Sequence, residues 1–567
     1  MCEYWTLIVP TKSPAETMAE CWLVVVPLGN DFYARLDCIT FNRWWLCLAC
    51  CLVHFCCGSI YTFSILADNL DVYFYGQVTK KCIRVWLTAY LCMGVSAALV
   101  GPALERRGPR TGLAYGTALV FLGHLLSQFA VIHRHYGLLM VGYGICVGLG
   151  FGVILIASIS TIQKWFPDMR GLTSGVCVLF FGIGSGIFIK MATLMLDQPI
   201  GAIHIMAKGV GVEYFFLRIG LFLVVVLSLC TLVLRTPPAS YTVNGRDIHN
   251  VPTQRAPNQS LIQDEYLNVG MTFVNYTVVQ HELQGTEGYY FQQVKAMSLL
   301  QCIASTDFIC LYVAFAANVT PILVLLPEIR RIATDILLLT TDEQVFSFFL
   351  YSFVGNLIGR LVSPLISDIL VHIFYLNPAY ARKIVFVALL CLQLIVLALL
   401  PYNIGNSKTF QWLASTLTSA SGGGLAIMPS FITDMFGVYN SGTMYGIIWT
   451  SFSLGAVISS FLLSQFVFTV EGLSNQLHWM LILVAVGTFA MLFVRTNSID
   501  RFFFGYQFTL FSKVIVQVPF QLSETDSDEI DLSTITPTPK LNDLSPNQFQ
   551  DFMLWDAETD GKASGLP

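Results

Sequence analysis

Apolar residues in this chain are gathered into long blocks separated by short polar stretches. Blocks of about twenty apolar residues, the length that a helix needs to cross a bilayer, occur twelve times. Six blocks precede a polar central segment and six follow it. The predicted spans are 44–67, 83–104, 111–132, 138–163, 170–196, 213–235, 306–329, 344–368, 381–402, 409–433, 442–468 and 476–495. The pattern therefore predicts an all-α membrane protein with twelve transmembrane helices in two six-helix halves.

Composition supports this prediction. Of the 567 residues, 55% are hydrophobic and only 11% are charged, and the mean hydropathy is +0.67. A soluble protein of this size would need more polar surface. The net charge of −5 gives no reason to expect a nucleic-acid partner. The sequence has no phosphate-binding loop, zinc-protease motif or nucleophile elbow, so we expect neither an enzyme nor a bound cofactor.

Three segments lie outside the predicted spans. Residues 1–43 lack the basic start and the cleavage site of a signal peptide, so we expect a cytoplasmic N-terminal segment. Residues 236–300 are rich in Asn, Gln, Thr, Tyr and Pro and form a predicted central loop. Residues 497–567 hold eleven acidic and four basic residues, which predicts an acidic, disordered tail with phosphorylation at Ser523 or Ser527.

The distribution of Lys and Arg predicts the orientation. Most basic residues near span ends fall on one side, and positive charge marks the cytoplasmic side. We therefore expect both termini and the central loop in the cytoplasm, and a plasma membrane rather than an organelle membrane. The sequons at Asn258 and Asn275 would then be unused. The basic residues that define this side are Arg106, Arg107, Arg110, Lys164, Arg170, Arg382, Lys383, Arg495 and Arg501.

Glycine spacing indicates an internal repeat. Three glycines of the fifth span recur in the eleventh at one offset of 271 residues. Glycine allows close helix approach in a membrane, so the same packing positions are expected in both halves. Parallel repeats of this kind place a substrate site between them at the midplane. The pairs are Gly171 and Gly442, Gly175 and Gly446, and Gly184 and Gly455.

The turn between the fourth and fifth spans carries the most specific motif. From Lys164 to Gly175 the chain reads K-W-F-P-D-M-R-G-L-T-S-G. This run resembles the K-W-F-P-D-x-R-G-L-x-x-G pattern of the oxalate/formate antiporter and monocarboxylate transporter branch of the major facilitator superfamily. The resemblance covers roughly 44–235 and 306–495. It implies the major facilitator fold and transport by alternating access.

A second motif follows the second span. Gly101, Glu105, Arg106 and Arg110 resemble the superfamily's G-x-x-x-D-R-x-G-x-R signature, with Glu in place of Asp. The resemblance implies a latch of the outward-facing state, in which the carboxylate faces the positive N-terminus of a neighbouring helix. The alternative is that these arginines only set topology. In the second half, Asp368 echoes the motif without its basic run.

The eighth span contains the best candidate for substrate binding. Arg360 lies within an otherwise uncharged stretch, where a charge costs ~2.5 to 3.5 kcal/mol on insertion scales. Asn356 lies one helical turn earlier on the same face. In monocarboxylate transporters an Asp and an Arg occupy this pair, so the resemblance implies that Arg360 binds a substrate carboxylate. The alternative is that Arg360 reaches the membrane interface.

Other residues complete the predicted pocket. Because Asn356 cannot titrate, His54 is the candidate proton carrier, although a hydrogen bond between helices is its alternative role. Where antiporters of the family place a second cation in the eleventh span, this chain has Phe452, and Lys190 is either a second charge or an interfacial residue. The remaining predicted pocket residues are Tyr61, Asn318, Tyr445 and Trp449.

Sixteen cysteines are present, and most lie in apolar runs such as 47–57. We expect them to be reduced, with no metal site; a soft-metal site in that cluster is the alternative.

The sequence as a whole predicts a secondary active transporter of a small organic anion, with a monocarboxylate such as pyruvate, lactate or formate as the expected substrate. A proton or a counter-anion would be its coupling partner, by symport or antiport, and the transport unit would be a monomer. Two alternatives remain open. One is an amino-acid or other polar-solute carrier on the same scaffold, and the other is a non-transporting membrane sensor.

Overall fold

The structure is a computed structural model that describes residues 2–5, 12–29, 32–195, 214–238, 240–250, 294–295, 297–339, 341–465, 469–501, 505–510 and 513–519. The chain forms two compact units. The first comprises Met1–Pro252 and Glu287–Asn497, and the second comprises Thr253–Thr286 and Ser498–Pro567.

Twelve long helices build the described part of the first unit, which confirms the predicted fold class. Ten of them are long and apolar enough to cross a membrane. The other two, α10 and α11, carry more Ser, Thr and Gly. The helices are α1 Arg43–Tyr75, α2 Ile83–Arg107, α3 Pro109–Ile132, α4 Tyr136–Trp165, α5 Arg170–Met195, α6 Phe215–Val233, α7 Thr306–Arg331, α8 Asp342–His372, α9 Pro378–Leu399, α10 Ser407–Phe436, α11 Val438–Gln465 and α12 Val470–Leu492.

Several helices are longer or less regular than the hydropathy pattern predicts. The predicted span 44–67 continues to Tyr75, through one 3₁₀ turn at Gly58–Tyr61. A π-helical stretch, Met140–Val147, lies within α4, and another, Ile332–Ile336, follows α7. Hydropathy cannot detect such extensions, because polar residues at a helix end change the average without breaking the backbone hydrogen bonds.

Short turns join α2 to α3, α4 to α5, α8 to α9 and α10 to α11 on one side of the bundle, which we call the short-loop face. Gly108 ends α2 with φ of 81°, and Gly437 ends α10 with φ of 85°. Residues with side chains rarely adopt this backbone region, so glycine permits these one-residue turns. Pro109 then begins α3, where a missing N–H is harmless.

Two of the three repeated glycine pairs make equivalent contacts in the two halves. Gly175 of α5 lies against α8, and its counterpart Gly446 of α11 lies against α2. Gly184 of α5 lies against α1, and its counterpart Gly455 of α11 lies against α7. A side chain at Gly184 or Gly446 would collide with the backbone of the neighbouring helix, whereas the contacts at the other two glycines are less tight. These two pairs are therefore equivalent, as the offset of 271 predicts. The third pair differs, because Gly171 lies against Asp368 and Arg382 of the C-terminal half, whereas Gly442 lies against α4.

The outer surface of the bundle is apolar. On the peripheral helices, large hydrophobic side chains are exposed, which suits contact with lipid tails rather than water. Examples are Leu122 and Phe129 of α3, Leu221, Val225 and Leu229 of α6, Ile395 of α9, and Ile482, Val486 and Phe489 of α12.

Two β-hairpins lie outside the helices in the part of the chain that is described. The first pairs β1, Trp22–Gly29, with β2, Phe32–Thr40, in the N-terminal segment, for which the sequence analysis predicts no transmembrane span. The second, in the second unit, pairs β3, Gly505–Leu510, with β4, Lys513–Pro519. The prediction that 497–567 is disordered is therefore wrong for the hairpin. The hairpin forms because β4 contains the β-branched residues Val514, Ile515, Val516 and Val518, which favour a strand.

Some predictions concern residues outside the described part of the chain. These are the sequons at Asn258 and Asn275, the phosphorylation sites at Ser523 and Ser527, and the rest of the acidic tail beyond residue 519.

Candidate substrate site and gate

A narrow cavity of about 10 Å³, enough for roughly one water molecule, lies between the two halves. It is lined by side chains of α1, α4, α5, α8, α10 and α11, and most of them are apolar or aromatic. The lining residues are His54, Tyr61, Leu155, Val178, Phe181, Arg360, Leu425, Tyr445, Trp449 and Phe452. Five predicted pocket residues, His54, Tyr61, Arg360, Tyr445 and Trp449, are thus brought together.

Arg360 is the cation of this cavity, and its side chain is held in place from two sides. Its Nε donates to Oδ1 of Asn356 at 2.9 Å, and its Nη1 donates to the carbonyl of Val178 in α5 at 2.8 Å. Asn356 in turn donates from Nδ2 to the carbonyl of Thr418 in α10 at 2.9 Å. The guanidinium is therefore fixed by α5, α8 and α10 together.

No carboxylate within the described ranges forms an ion pair with Arg360, and its Nη2 has no acceptor there. The residue is nevertheless buried, with 5% of its surface exposed. This observation rules out the alternative in which Arg360 extends to the membrane interface. A buried cation without an anionic partner is electrostatically suited to an anion that enters the cavity.

Gly182 of α5 creates the space for this guanidinium. A methyl group at Gly182 would lie 2.6 Å from Cδ2 of Leu357 and 3.1 Å from Nη1 of Arg360. Because the first distance is shorter than any relaxed contact, even alanine would push Leu357 or Arg360 aside. Glycine at this position therefore lets Leu357 and the guanidinium keep their positions.

His54 lines the cavity on the side of α1. Its Nδ1 lies 2.9 Å from the carbonyl of Cys50 and 3.4 Å from Oγ of Ser158 in α4. Its Nε2 is buried and has no hydrogen-bond partner among described residues. The same holds for Nε1 of Trp449 in the part of the chain that is described. Two unpaired polar groups therefore accompany Arg360 at one cavity.

Two predicted site residues, Asn356 and Asn318, and the candidate second cation Lys190 lie elsewhere. Asn356 supports Arg360 from behind and does not line the cavity. Asn318 packs at the contact of α7 with α9 and α10, where its Nδ2 donates to Oε1 of Gln393 at 3.4 Å. Lys190 is exposed towards the end of α5, so it is not a second cation of the cavity. Spacing along one helix gives membrane depth, but only packing decides which face meets the cavity.

Aromatic rings cover much of the cavity wall. Trp449 stacks on Phe452 with ring centroids 4.9 Å apart, and Tyr61 meets Phe181 edge to face at 5.9 Å. Sequence reasoning missed Phe181. A signal existed for Phe452, because it stands where related antiporters place a cation.

A second group of ionised residues closes the short-loop face, and we call it the buried charge cluster: Arg170, Asp368, Arg382 and Asp434. Nη1 of Arg170 lies 2.8 Å from Oδ1 of Asp434. Oδ2 of the same aspartate, Asp434, lies 3.3 Å from Nε of Arg382. Nη2 of Arg382 lies 2.5 Å from Oδ1 of Asp368. Arg170 belongs to the N-terminal half and the other three to the C-terminal half, so the cluster joins the halves.

Asp368 also binds the N-terminus of α5. Its Oδ2 accepts from the N–H of Leu172 at 2.6 Å, and its Oδ1 accepts from the N–H of Gly171 at 3.2 Å. A carboxylate is stabilised there by the unpaired N–H groups and by the helix dipole. Asp368, the counterpart of Glu105 in the second half, therefore makes the contact with a helix N-terminus that the sequence predicts for Glu105.

Glu105 has a different partner. Its Oε2 lies 2.5 Å from Nζ of Lys164 in α4, and both side chains are buried. The expectation that Glu105 faces a helix N-terminus is therefore corrected to an ion pair within the N-terminal half. The reason is that Lys164, the penultimate residue of α4, reaches the same depth as Glu105 near the end of α2. Gly101 nearby touches Thr443 of α11.

The rest of the turn motif anchors α1. Asp168 binds Arg43, the first residue of α1, through two bonds of 2.9 and 3.0 Å. The Arg43 guanidinium also lies 4.9 Å from the ring centre of Phe166. The backbone carbonyl of Asp168 lies 2.7 Å from Nε2 of His372 in α8. The motif thus ties α1, α5 and α8 together at the short-loop face.

Sequence reasoning missed Asp434 and Arg382 as partners. The offset of 271 would have aligned Asp434 with Gln163, at the end of α4 in the other half. That alignment places the carboxylate of Asp434 near the end of α10, where the two halves meet. It does not say which basic residue meets it.

The start of the central loop packs beneath this cluster. Nη2 of Arg170 donates to the carbonyl of Ile248 at 2.7 Å, and the ring of His249 lies 5.1 Å from that of Tyr439 in α11. Burial, together with the positive charges of Lys295, Arg170 and Lys164, lowers the pKa of His249 from its ordinary 6.5 to about 3.

Comparison with known proteins decides the family. Residues 46–460 match the Major Facilitator Superfamily. The chain belongs to this superfamily. It is therefore a multi-pass membrane transporter that carries a small-molecule substrate, and not an enzyme.

Individual relatives are distant. The uncharacterized MFS-type transporter YhjX of Escherichia coli is 22% identical over 73% of this chain and 86% of its own length. The oxalate:formate antiporter of Oxalobacter formigenes is 23% identical over 72% of this chain and 81% of its own length. Monocarboxylate transporter 12 of Mus musculus is 25% identical, but over only 27% of this chain and 31% of its own length.

Solved structures share the Major Facilitator Superfamily fold. The transporter FucP in the outward conformation has a TM-score of 0.51 and 14% identity, over 79% of this chain and 98% of FucP. The proton:xylose symporter XylE has a TM-score of 0.55 and 14% identity, over 81% of this chain and 97% of XylE.

Proposed function

We propose that this transporter moves a small organic anion, and that Arg360 binds its carboxylate. The observation that carries the proposal is a buried guanidinium that lines the cavity, is fixed by Asn356 and Val178, and has no carboxylate partner among the residues described. Arginine presents two parallel N–H groups to a carboxylate, which gives both strength and orientation. Nη2 is available for such a contact.

The charge of the cavity favours a monoanion. Arg360 is the single basic residue among the ten lining residues, if His54 is neutral. A second negative charge on the substrate would therefore lack a counter-charge in a site largely removed from water. The oxalate:formate antiporter and monocarboxylate transporter 12 carry carboxylates by name, which fits the proposal. We infer a monocarboxylate of the pyruvate, lactate or formate type.

Coupling is proposed to pass through His54. Asn356 cannot carry a proton, whereas His54 lines the same cavity and has a buried Nε2 available to a proton or to substrate. If His54 does not titrate during transport, exchange for a counter-anion is the remaining coupling mode. Alternating access would then require the buried charge cluster to separate, because it joins the two halves at the short-loop face.

We propose that the short-loop face is cytoplasmic, since the Lys and Arg residues are concentrated there. The protein would be a monomeric transport unit in the plasma membrane.

Uptake by purified protein in proteoliposomes tests the function. We expect saturable uptake of labelled formate, lactate or pyruvate, and a loss of at least about tenfold in Arg360→Lys, because the ammonium cannot reproduce the fork geometry. Lys190→Gln is the matched control, since it removes an exposed cation of the membrane domain. Full uptake by folded Arg360→Lys protein would contradict the assigned role.

Counterflow distinguishes the alternatives. Counterflow of amino acids but not of monocarboxylates would indicate a polar-solute carrier. Absence of counterflow for every solute, with a correctly folded protein, would indicate a sensor.

A further inference from the structure

The N-terminal hairpin has one largely apolar face. Val24 pairs with Leu36, and Val26 pairs with Ala34. Directly paired residues point to the same side of a sheet. Phe32 points to that side too, because it alternates with Ala34 and Leu36 along β2. We call these five residues the apolar hairpin face. Phe32 is 75% exposed and Leu36 is 58% exposed, so no other part of the described chain covers them.

The opposite face differs in chemistry. Val25 is buried against the rest of the protein. Arg35 and Asp37 form an exposed ion pair with Nε and Oδ1 3.1 Å apart. The hairpin is therefore amphipathic: one side carries the ion pair, and the other carries the apolar hairpin face, which ends at Thr40.

Its attachment places the hairpin beside the membrane. Arg235, two residues after the end of α6, donates through Nη1 to the carbonyls of Glu20 and Trp22 at 2.7 and 2.8 Å. At the other strand, β2 ends at Thr40, three residues before α1 begins. Both strands are thus attached to the ends of two spanning helices, α6 and α1.

Exposed aromatic residues mark the same level. Trp44 and Trp45, in the first turn of α1, are 50% and 45% exposed. Tryptophan at the end of a spanning helix is typical of the membrane interface. Leu48, 46% exposed, continues this surface into the apolar stripe of α1.

A second observation places the N-terminal segment against lipid. The hydroxyl of Tyr4 donates to the carbonyl of Leu99 at 2.5 Å, and Arg106 Nη2 donates to the carbonyl of Tyr4 at 2.7 Å. Leu99 is half exposed in α2, and it lies eight residues, about 12 Å, before the helix ends. The turn Cys2–Trp5 therefore packs on the lipid-facing side of α2.

We propose that the turn Cys2–Trp5 and the hairpin form an in-plane membrane anchor, with the apolar hairpin face inserted at the boundary between lipid headgroups and acyl chains. The occupant is the bilayer that α1 to α12 cross. An amphipathic element with aromatic and aliphatic groups on one face binds this boundary, because the apolar face leaves water while the charged face stays in it. The exposed surface of α1 continues into that face.

Photocrosslinking of the full chain in phospholipid nanodiscs tests the anchor. The photoreactive residue p-benzoylphenylalanine replaces Leu36 in one variant and Phe32 in a second, and it replaces Asp37 on the charged face as the matched control. We expect phospholipid adducts, detected by mass, to be several-fold more abundant at positions 36 and 32 than at 37. In addition, Phe32→Glu should reduce the adduct formed at position 36, since a carboxylate withdraws the face from the acyl boundary.

Two results would overturn the proposal. One is lipid adducts at 36 and 32 that do not exceed those at 37. The other is crosslinks from 36 or 32 to a second copy of this chain or to another protein, which would make the face a protein interface. Each variant is inserted through the same twelve helices, and position 32 reports independently if the replacement at 36 disturbs the hairpin.

Discussion

Arg170 of the N-terminal half and Asp434 of the C-terminal half form a buried ion pair, with Nη1 and Oδ1 2.8 Å apart. Both side chains are 2% exposed. The pair lies at the point where the two halves must part if the short-loop face opens, so its free energy contributes to the balance between the closed and open states.

We expect Asp434→Asn to weaken this closure. Removing one carboxylate leaves Arg170 and Arg382 partly uncompensated, and breaking a buried pair costs roughly 3 to 5 kcal/mol. Hydrogen exchange at the N-terminus of α5 should therefore increase. Asp37→Asn, which breaks an exposed pair of about 0 to 1 kcal/mol, is the control and should leave that exchange unchanged. Unaltered exchange in Asp434→Asn would show that the pair does not hold the face closed.

We expect Asn356→Asp to lower the affinity for a carboxylate substrate. The carboxylate that this substitution introduces would pair with Arg360 and compete with the substrate for the guanidinium. Protonation of the new carboxyl group would release Arg360, so uptake should rise as the pH falls. Uptake of labelled monocarboxylate at several pH values measures this, and uptake with the pH profile of the wild type would contradict it.

Gly182→Ala should impair transport without unfolding the protein. The added methyl group presses on Leu357 and Arg360, which displaces the guanidinium by a few tenths of an ångström or more. The measured change is a higher KM for the substrate. Gly405→Ala is the matched control, because a methyl group there meets no atom within 4 Å. Equal kinetics in the two variants would remove Gly182 from the site.

Acidification should loosen the start of the central loop. His249 has an ordinary pKa of 6.5 and a pKa of about 3 where it is packed, so only the detached segment binds a proton between these values. The attached state therefore loses stability as pH falls below 6.5. The equilibrium constant for attachment should fall by up to about tenfold per pH unit. Proteolysis or hydrogen exchange of residues 240–250 should show this, and His249→Gln should flatten the pH dependence.

Protection of tags tests the proposed orientation. Epitopes placed in 253–286 and at the C-terminus should be inaccessible in sealed cells, because the positive-inside rule places them in the cytoplasm. Accessibility of a tag, or glycosylation of Asn258 or Asn275, would reverse the orientation.

The fold followed from the sequence, because a bilayer enforces a simple rule: each span needs about twenty apolar residues and internal hydrogen bonding. The repeat also followed, since close helix contacts need glycine at fixed positions. Arg360 could also be predicted as a site residue from the sequence, because a charge within a membrane span is costly and usually has a functional role.

The tertiary structure decided which side chains meet. The sequence predicts both Asn318 and Tyr445 as pocket residues, yet only Tyr445 lines the cavity, because rotation of a helix about its axis is set by packing on its neighbours. Asp368, rather than Glu105, binds a helix N-terminus. Asp434 forms an ion pair with Arg170, which lies 264 residues earlier in the chain. Such contacts depend on the three-dimensional arrangement of both halves, which no local pattern contains.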